Sequence, residues 1–143
     1  MRLSDLSPGE TALVVRVGGS GAIHRRLLSI GILPGAIVRA VRVSPLGDPI
    51  AYEIRGSFIS LRRNEADYVE VEKIVPLHLV PPGSVVKVIL VDGGVGFIRN
   101  LNRMGLSPGK LVEVLRPCCP MLIRTDAGVF NIGRGMAYRI YVR

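Results

Sequence analysis

The sequence has no tryptophan, only 5% aromatic residues, two histidines and two cysteines. The cysteines are adjacent, Cys118-Cys119, so they cannot be the spaced framework of a disulfide-stapled secreted domain. Two histidines exclude a histidine-rich metal site. No H-E-x-x-H, Ser-His-Asp or Cys-His arrangement is present either, so nothing in the chain points to catalysis. The start, Met1-Arg2-Leu3-Ser4-Asp5, lacks the apolar core of a signal peptide. The longest apolar stretch, 74–91, is interrupted by Pro76, Pro81, Pro82, Gly83 and Lys87, whereas a spanning helix needs roughly 20 mostly apolar residues. A soluble, cytoplasmic protein with no direct membrane insertion is therefore expected.

What the chain does have is 17 glycines and 10 prolines among 48% apolar residues. Frequent breakers among many Val, Ile and Leu predict short strands and tight turns, not a helical bundle. The formal net charge of +8 is uneven. Residues 1–73 carry 10 basic and 8 acidic side chains, or +2, and residues 74–143 carry 9 and 3, or +6. The second half thus favours an acidic partner: nucleic acid, anionic lipid headgroups or an acidic protein surface.

A shift of 74 residues brings the chain into register with itself. Pro8-Gly9 falls on Pro82-Gly83, Gly19 on Gly93, Gly31 on Gly105 and Pro34-Gly35 on Pro108-Gly109. Apolar positions follow: Val15 with Ile89, Leu27 with Leu101, Val38 with Val112. After a three-residue deletion the shift is 71, pairing Pro49 with Pro120, Leu61 with Ile132, Arg63 with Arg134 and Val71 with Val142. The expected organisation is a first domain over 1–73, a linker over 74–79 and a second, degenerate copy over 80–143.

Within the first copy, Thr11–Val17 alternates with the period of a half-buried strand. Ile23, Leu27 and Ile30 then place one apolar stripe on a short helix that opens at Ser20 and stops at Gly31. Strands are predicted at 37–43, 50–55, 57–61 and 68–72, with a turn at 64–67. The second copy repeats the helix with Phe97, Leu101 and Met104, opened by Gly94 and closed by Gly105. A helix of two or three turns is not stable alone in water. Five short antiparallel strands plugged by such a helix predict a mainly β chain of two tandem SH3-like small barrels, each with a capping helix and a sheet closed on itself.

The run Leu3-Ser4-Asp5-Leu6-Ser7-Pro8-Gly9-Glu10, then Gly21, Arg25-Arg26-Leu27-Leu28, Gly31-Ile32, Pro34-Gly35, the loop Pro45-Leu46-Gly47-Asp48-Pro49, and finally Tyr52-Glu53, Arg55-Gly56 and Glu65-Ala66 resembles the FeoA family of ferrous-iron uptake. The fold is also similar to the C-terminal domain of iron- and manganese-dependent repressors. The second copy keeps Pro82-Gly83, Arg99, Leu101, Gly105 and Pro108-Gly109. It has Pro117-Cys118-Cys119-Pro120 in place of the loop and no counterpart of Glu65. The resemblance implies a non-enzymatic accessory protein that docks on the cytosolic G-domain of a membrane ferrous-iron transporter. It also admits Fe(2+) or another divalent transition metal as a ligand.

For docking, the outward helix positions Arg25, Arg26, Arg99 and Arg103 are the candidates, because arginine forms bidentate pairs with carboxylates. For a metal, the candidates are His24, Asp48, Glu53, Glu65, Cys118 and Cys119. Each of these has a bland reading as a solvated or packed side chain, with one thiol buried and one exposed. Gly18-Gly19-Ser20-Gly21 lacks the Gly-Lys-Ser/Thr ending of a phosphate loop and reads as a turn. Two other classes compete: a basic nucleic-acid-binding tandem barrel, which has few aromatics for base stacking, and a stand-alone metal-sensing regulatory domain.

Overall fold

The structure, a computed structural model describing residues 1–143, forms its strands where the sequence alternates. In the first unit, Met1–Lys73, these are β1 (Thr11–Val17), β2 (Ile37–Val43), β3 (Ile50–Ile54), β4 (Ser57–Leu61) and β5 (Val69–Pro76), the last running past the end of the unit. Two helices, α1 (Gly21–Ser29) and α2 (Arg63–Ala66), and a 3-10 turn at Leu3–Asp5 complete it. The strand order is β4-β3-β2-β1-β5.

The second unit, Ile74–Arg143, contains β6 (Val85–Val91), α3 (Val95–Arg103), β7 (Leu111–Arg116), β8 (Met121–Thr125), β9 (Gly128–Ile132), α4 (Arg134–Ala137) and β10 (Ile140–Val142). Its order is β10-β6-β7-β8-β9. No helix of the chain is long and apolar enough to cross a membrane.

Each unit has its own core. In the first, Leu27 on α1 is fully buried among Leu3, Val14, Val38, Ile50, Tyr52 and Leu61, with Ile23 and Ile30 packed beside it. In the second, Leu101 on α3 takes the same place among Leu77, Val88, Val112, Val114, Met121 and Ile123, flanked by Phe97 and Met104. Both helices end as the glycines predict. Gly31 and Gly105 lie in the left-handed region, at φ 98° and 77°. Beyond them Ile32 N–H donates to the Leu27 carbonyl at 3.0 Å and Leu106 N–H to the Leu101 carbonyl at 2.9 Å. This is the two-bond C-terminal motif that satisfies carbonyls the helix leaves open. Even the irregularities repeat: the β2–β3 register shifts between Ala40 and Arg42, and the β7–β8 register between Val114 and Arg116. A bulge at the same place in both copies bends the strand over the core.

Four expectations differ from the structure. Ser20 precedes α1 in an extended conformation, but its side chain makes no capping hydrogen bond. The turns expected at 64–67 and its repeat are single helical turns, α2 and α4. The segment 74–79, read as a linker, is strand through Pro76 and then a 3-10 turn, Leu77–Leu79; Val75 and Pro76 pair with Val142 and Tyr141 of β10. Finally, the sheets do not close on themselves: β4 ends the order of the first unit and β9 that of the second.

Candidate docking surface

Helix α1 turns Leu27 inward, which leaves Arg25 and Arg26 outward. Arg25 is exposed and makes no ion pair. Arg26 reaches back to Glu65, a carboxylate only 7% exposed at residue level. Glu65 Oε1 also accepts the Arg62 N–H at 2.9 Å, so this side chain both caps α2 and anchors α1. Arg26 is thus an internal strut whose outer edge remains wet. In the second unit the equivalent positions are Asn100 and Met136, and Met136 packs against the core. The ion-paired Glu65 of one copy is thus a core-packed Met136 in the other, while Asn100 is exposed.

Helix α3 presents a different surface. Arg99 and Arg103, four residues apart on one face, are exposed and unpaired, and the helix carries no acidic residue. Beside them Val95 is 73% exposed and Ile98 is also exposed. Sequence reasoning marked the arginines but missed these two aliphatics; their signal was apolar residues lying off the Phe97–Leu101–Met104 stripe. Nearby, Arg139 lies over the rings of Phe97 and Tyr138, at 5.6 and 5.7 Å from their centroids.

The metal candidates are not brought together. His24 Nδ1 lies 3.0 Å from the Gly18 carbonyl. Asp48 Oδ1 accepts the Arg63 N–H at 3.0 Å, and Glu53 takes Arg39 across the β2–β3 ladder at 2.8 Å. Cys118 is half-buried and Cys119 exposed, side by side in the loop before β8. No three His, Cys, Asp or Glu side chains converge anywhere in the chain. A transition metal needs such convergence, so these residues do not fit a resident metal.

Arg63, which the sequence marked only as a repeat match to Arg134, pins the loop at 44–49. Its Nη2 donates to the Gly47 carbonyl at 3.0 Å and its Nη1 to that of Ser4 at 3.4 Å. His78, the repeat equivalent of Ser4, has a buried Nδ1 with no partner. Burial, and then the nearby Arg134 charge, hold its pKa below the usual histidine value.

The FeoA domain profile matches residues 1–73 and again residues 75–143. The chain belongs to the FeoA family. A Fe(2+) transport protein A/Fe(2+) transporter FeoB fusion protein of Porphyromonas gingivalis is 43% identical over 84 residues, 59% of this chain. The match covers only 10% of that relative's length. The solution structure of iron(II) transport protein A from Clostridium thermocellum is 34% identical, with a TM-score of 0.50, over 100% of this chain and 87% of that one. FeoA from Chlorobium tepidum is 38% identical, also with a TM-score of 0.50, over 53% of this chain and 72% of that one. The chain is therefore a mainly β tandem FeoA protein with SH3-like units, of a family associated with ferrous-iron transport.

Proposed function

We propose that this tandem FeoA protein is a non-catalytic component of ferrous-iron uptake that docks on the cytosolic domain of the ferrous-iron transporter. The Porphyromonas gingivalis fusion carries this reading: there a related segment shares one polypeptide with a Fe(2+) transporter. Covalent linkage holds two modules at high effective concentration, and a separate chain with the same module meets that partner by binding. Ferrous ion is then the transporter's cargo and needs no resident site here.

The α3 surface supports the reading. Val95 and Ile98 offer an apolar centre, with the unpaired Arg99 and Arg103 beside it, and residues 74–143 carry +6. Such a surface fits an acidic partner face with an apolar recess. On α1 only Arg25 is uncommitted, so the second unit contributes more.

The test is capture of the full chain by the purified transporter cytosolic domain, in parallel with an RNA and DNA shift assay at low and high salt. Saturable binding is expected, weakened about tenfold or more by Arg99→Glu with Arg103→Glu. Unchanged binding in that variant removes α3 from the interface. Tight, salt-sensitive nucleic-acid binding without capture would replace docking by nucleic-acid recognition.

A further inference from the structure

The open edges of the two sheets have an unusual chemistry. β4 reads Ser57-Phe58-Ile59-Ser60-Leu61 and β9 reads Gly128-Val129-Phe130-Asn131-Ile132, neither with a charge or a proline. Every other strand carries at least one charged residue, except the three-residue β10, which is paired on both sides. The other terminal strand of the first unit, β5, is guarded by Glu70, Glu72 and Lys73, and Arg2 bridges to Glu70. Edge strands are ordinarily blunted by charge, proline or a covering segment, because their free N–H and C=O groups template pairing. Here that protection is missing at the two places that need it, in two copies whose sequences have otherwise diverged.

The solvent faces agree as well. Cross-strand register lines up Arg39, Glu53 and Phe58 in one row of the first unit. The equivalent row of the second unit is Glu113, Arg124 and Val129. Each row ends at the edge in an exposed apolar side chain, Phe58 at 66% and Val129 at 52%. Behind it stands an ion pair whose polarity is reversed between copies: Glu53 is next to the edge residue in one, Arg124 in the other.

We propose that β4 of one molecule pairs edge to edge with β9 of a second copy of this chain. That junction completes both backbone ladders, covers Phe58 and Val129 against each other, and places glutamate on one side and arginine on the other. Pairing β4 with β4 sets Glu53 against Glu53 across the junction, and β9 with β9 sets Arg124 against Arg124. The charges stand roughly three strand spacings apart, about 14 Å, so they favour the unlike partner edge at low ionic strength, while the ladder and the apolar pair hold the junction at any salt. The net charge of +8 on each molecule opposes association, so added salt strengthens it. A junction between unlike edges either forms twice in a closed dimer or propagates.

Sedimentation velocity of the full chain from micromolar to millimolar concentration, at low and high salt, tests this. Expected is concentration-dependent association that tightens with salt, with rising hydrogen-exchange protection of the β4 and β9 amides. Phe58→Lys and Val129→Lys, both at exposed positions, should each yield monomers. Mixing the two variants should restore a dimer, because one retains an intact β9 and the other an intact β4. A wild-type monomer throughout, variants that still associate, or a mixture that stays monomeric would each overturn the proposal. The transporter takes no part in the assay, so its result stands apart from the docking reading.

Discussion

At the scale of single residues, the two copies form an internal experiment on one buried site. Glu65 accepts from the Arg62 N–H and from Arg26, and without them its carboxylate would be desolvated and unpaired. The second copy fills the position of Glu65 with Met136, which packs against the core, and that of Arg26 with Asn100, which is exposed. Removing the arginine leaves a nearly buried carboxylate short of a partner, although the Arg26 side chain is itself 57% exposed, and that costs more than replacing both by the second copy's residues. Arg26→Ala should therefore destabilise the first unit by about 1–3 kcal/mol, with Arg26→Asn plus Glu65→Met closer to wild type. Denaturant unfolding followed by amide signals of the first unit measures both, and a double variant worse than the single would refute the argument. Little of this was legible beforehand. The absence of a Glu65 counterpart was visible in the repeat, but the reach of Arg26 across 39 positions depends on how α1 and α2 meet over the core.

At the scale of elements, much could be read, because helices and their stops are local. The spacings of Ile23, Leu27 and Ile30 identify α1, and glycine at the left-handed position ends it in both copies. What lies around that glycine could not be read. A Cβ on Gly31 would meet only the Ile54 side chain, at 3.8 Å. A Cβ on Gly105 would stand 2.5 Å from Asp126 Oδ1 and 2.8 Å from Thr125 Oγ1. Both substitutions by alanine carry the left-handed penalty of roughly 1–2 kcal/mol, and Gly105→Ala adds a clash. Gly105→Ala should lower the thermal midpoint of its unit further than Gly31→Ala lowers that of the first; equal shifts would show that the Thr125–Asp126 turn yields freely. Sheet closure was missed for the complementary reason. Five alternating strands fit a closed or an open arrangement equally well, and only the long-range order shows that β4 and β9 are left at the ends.

For the whole molecule, the repeat arithmetic located two copies, but it set the start of the second too late. Continuing the 74-residue shift backwards pairs Leu77 with Leu3, and both are fully buried in 3-10 turns at the entrance to their units. Pro76 and Val75 add backbone pairs to β10, a strand of only three residues that otherwise has β6 alone. A proline-rich apolar stretch resembles a connector in composition, yet here its side chains and backbone belong to the second unit. A fragment of residues 74–143 should therefore fold by itself. Residues 80–143 would lack Leu77 and the strand beside β10. Loss of a buried leucine alone costs about 2–5 kcal/mol, a large share of the stability of a domain of this size. Far-UV circular dichroism and amide chemical shifts of the two fragments decide the point. If 80–143 folds as stably as 74–143, the segment is a connector after all; if it is unfolded while 74–143 retains the shifts of the full chain, the second FeoA unit begins at the end of β5.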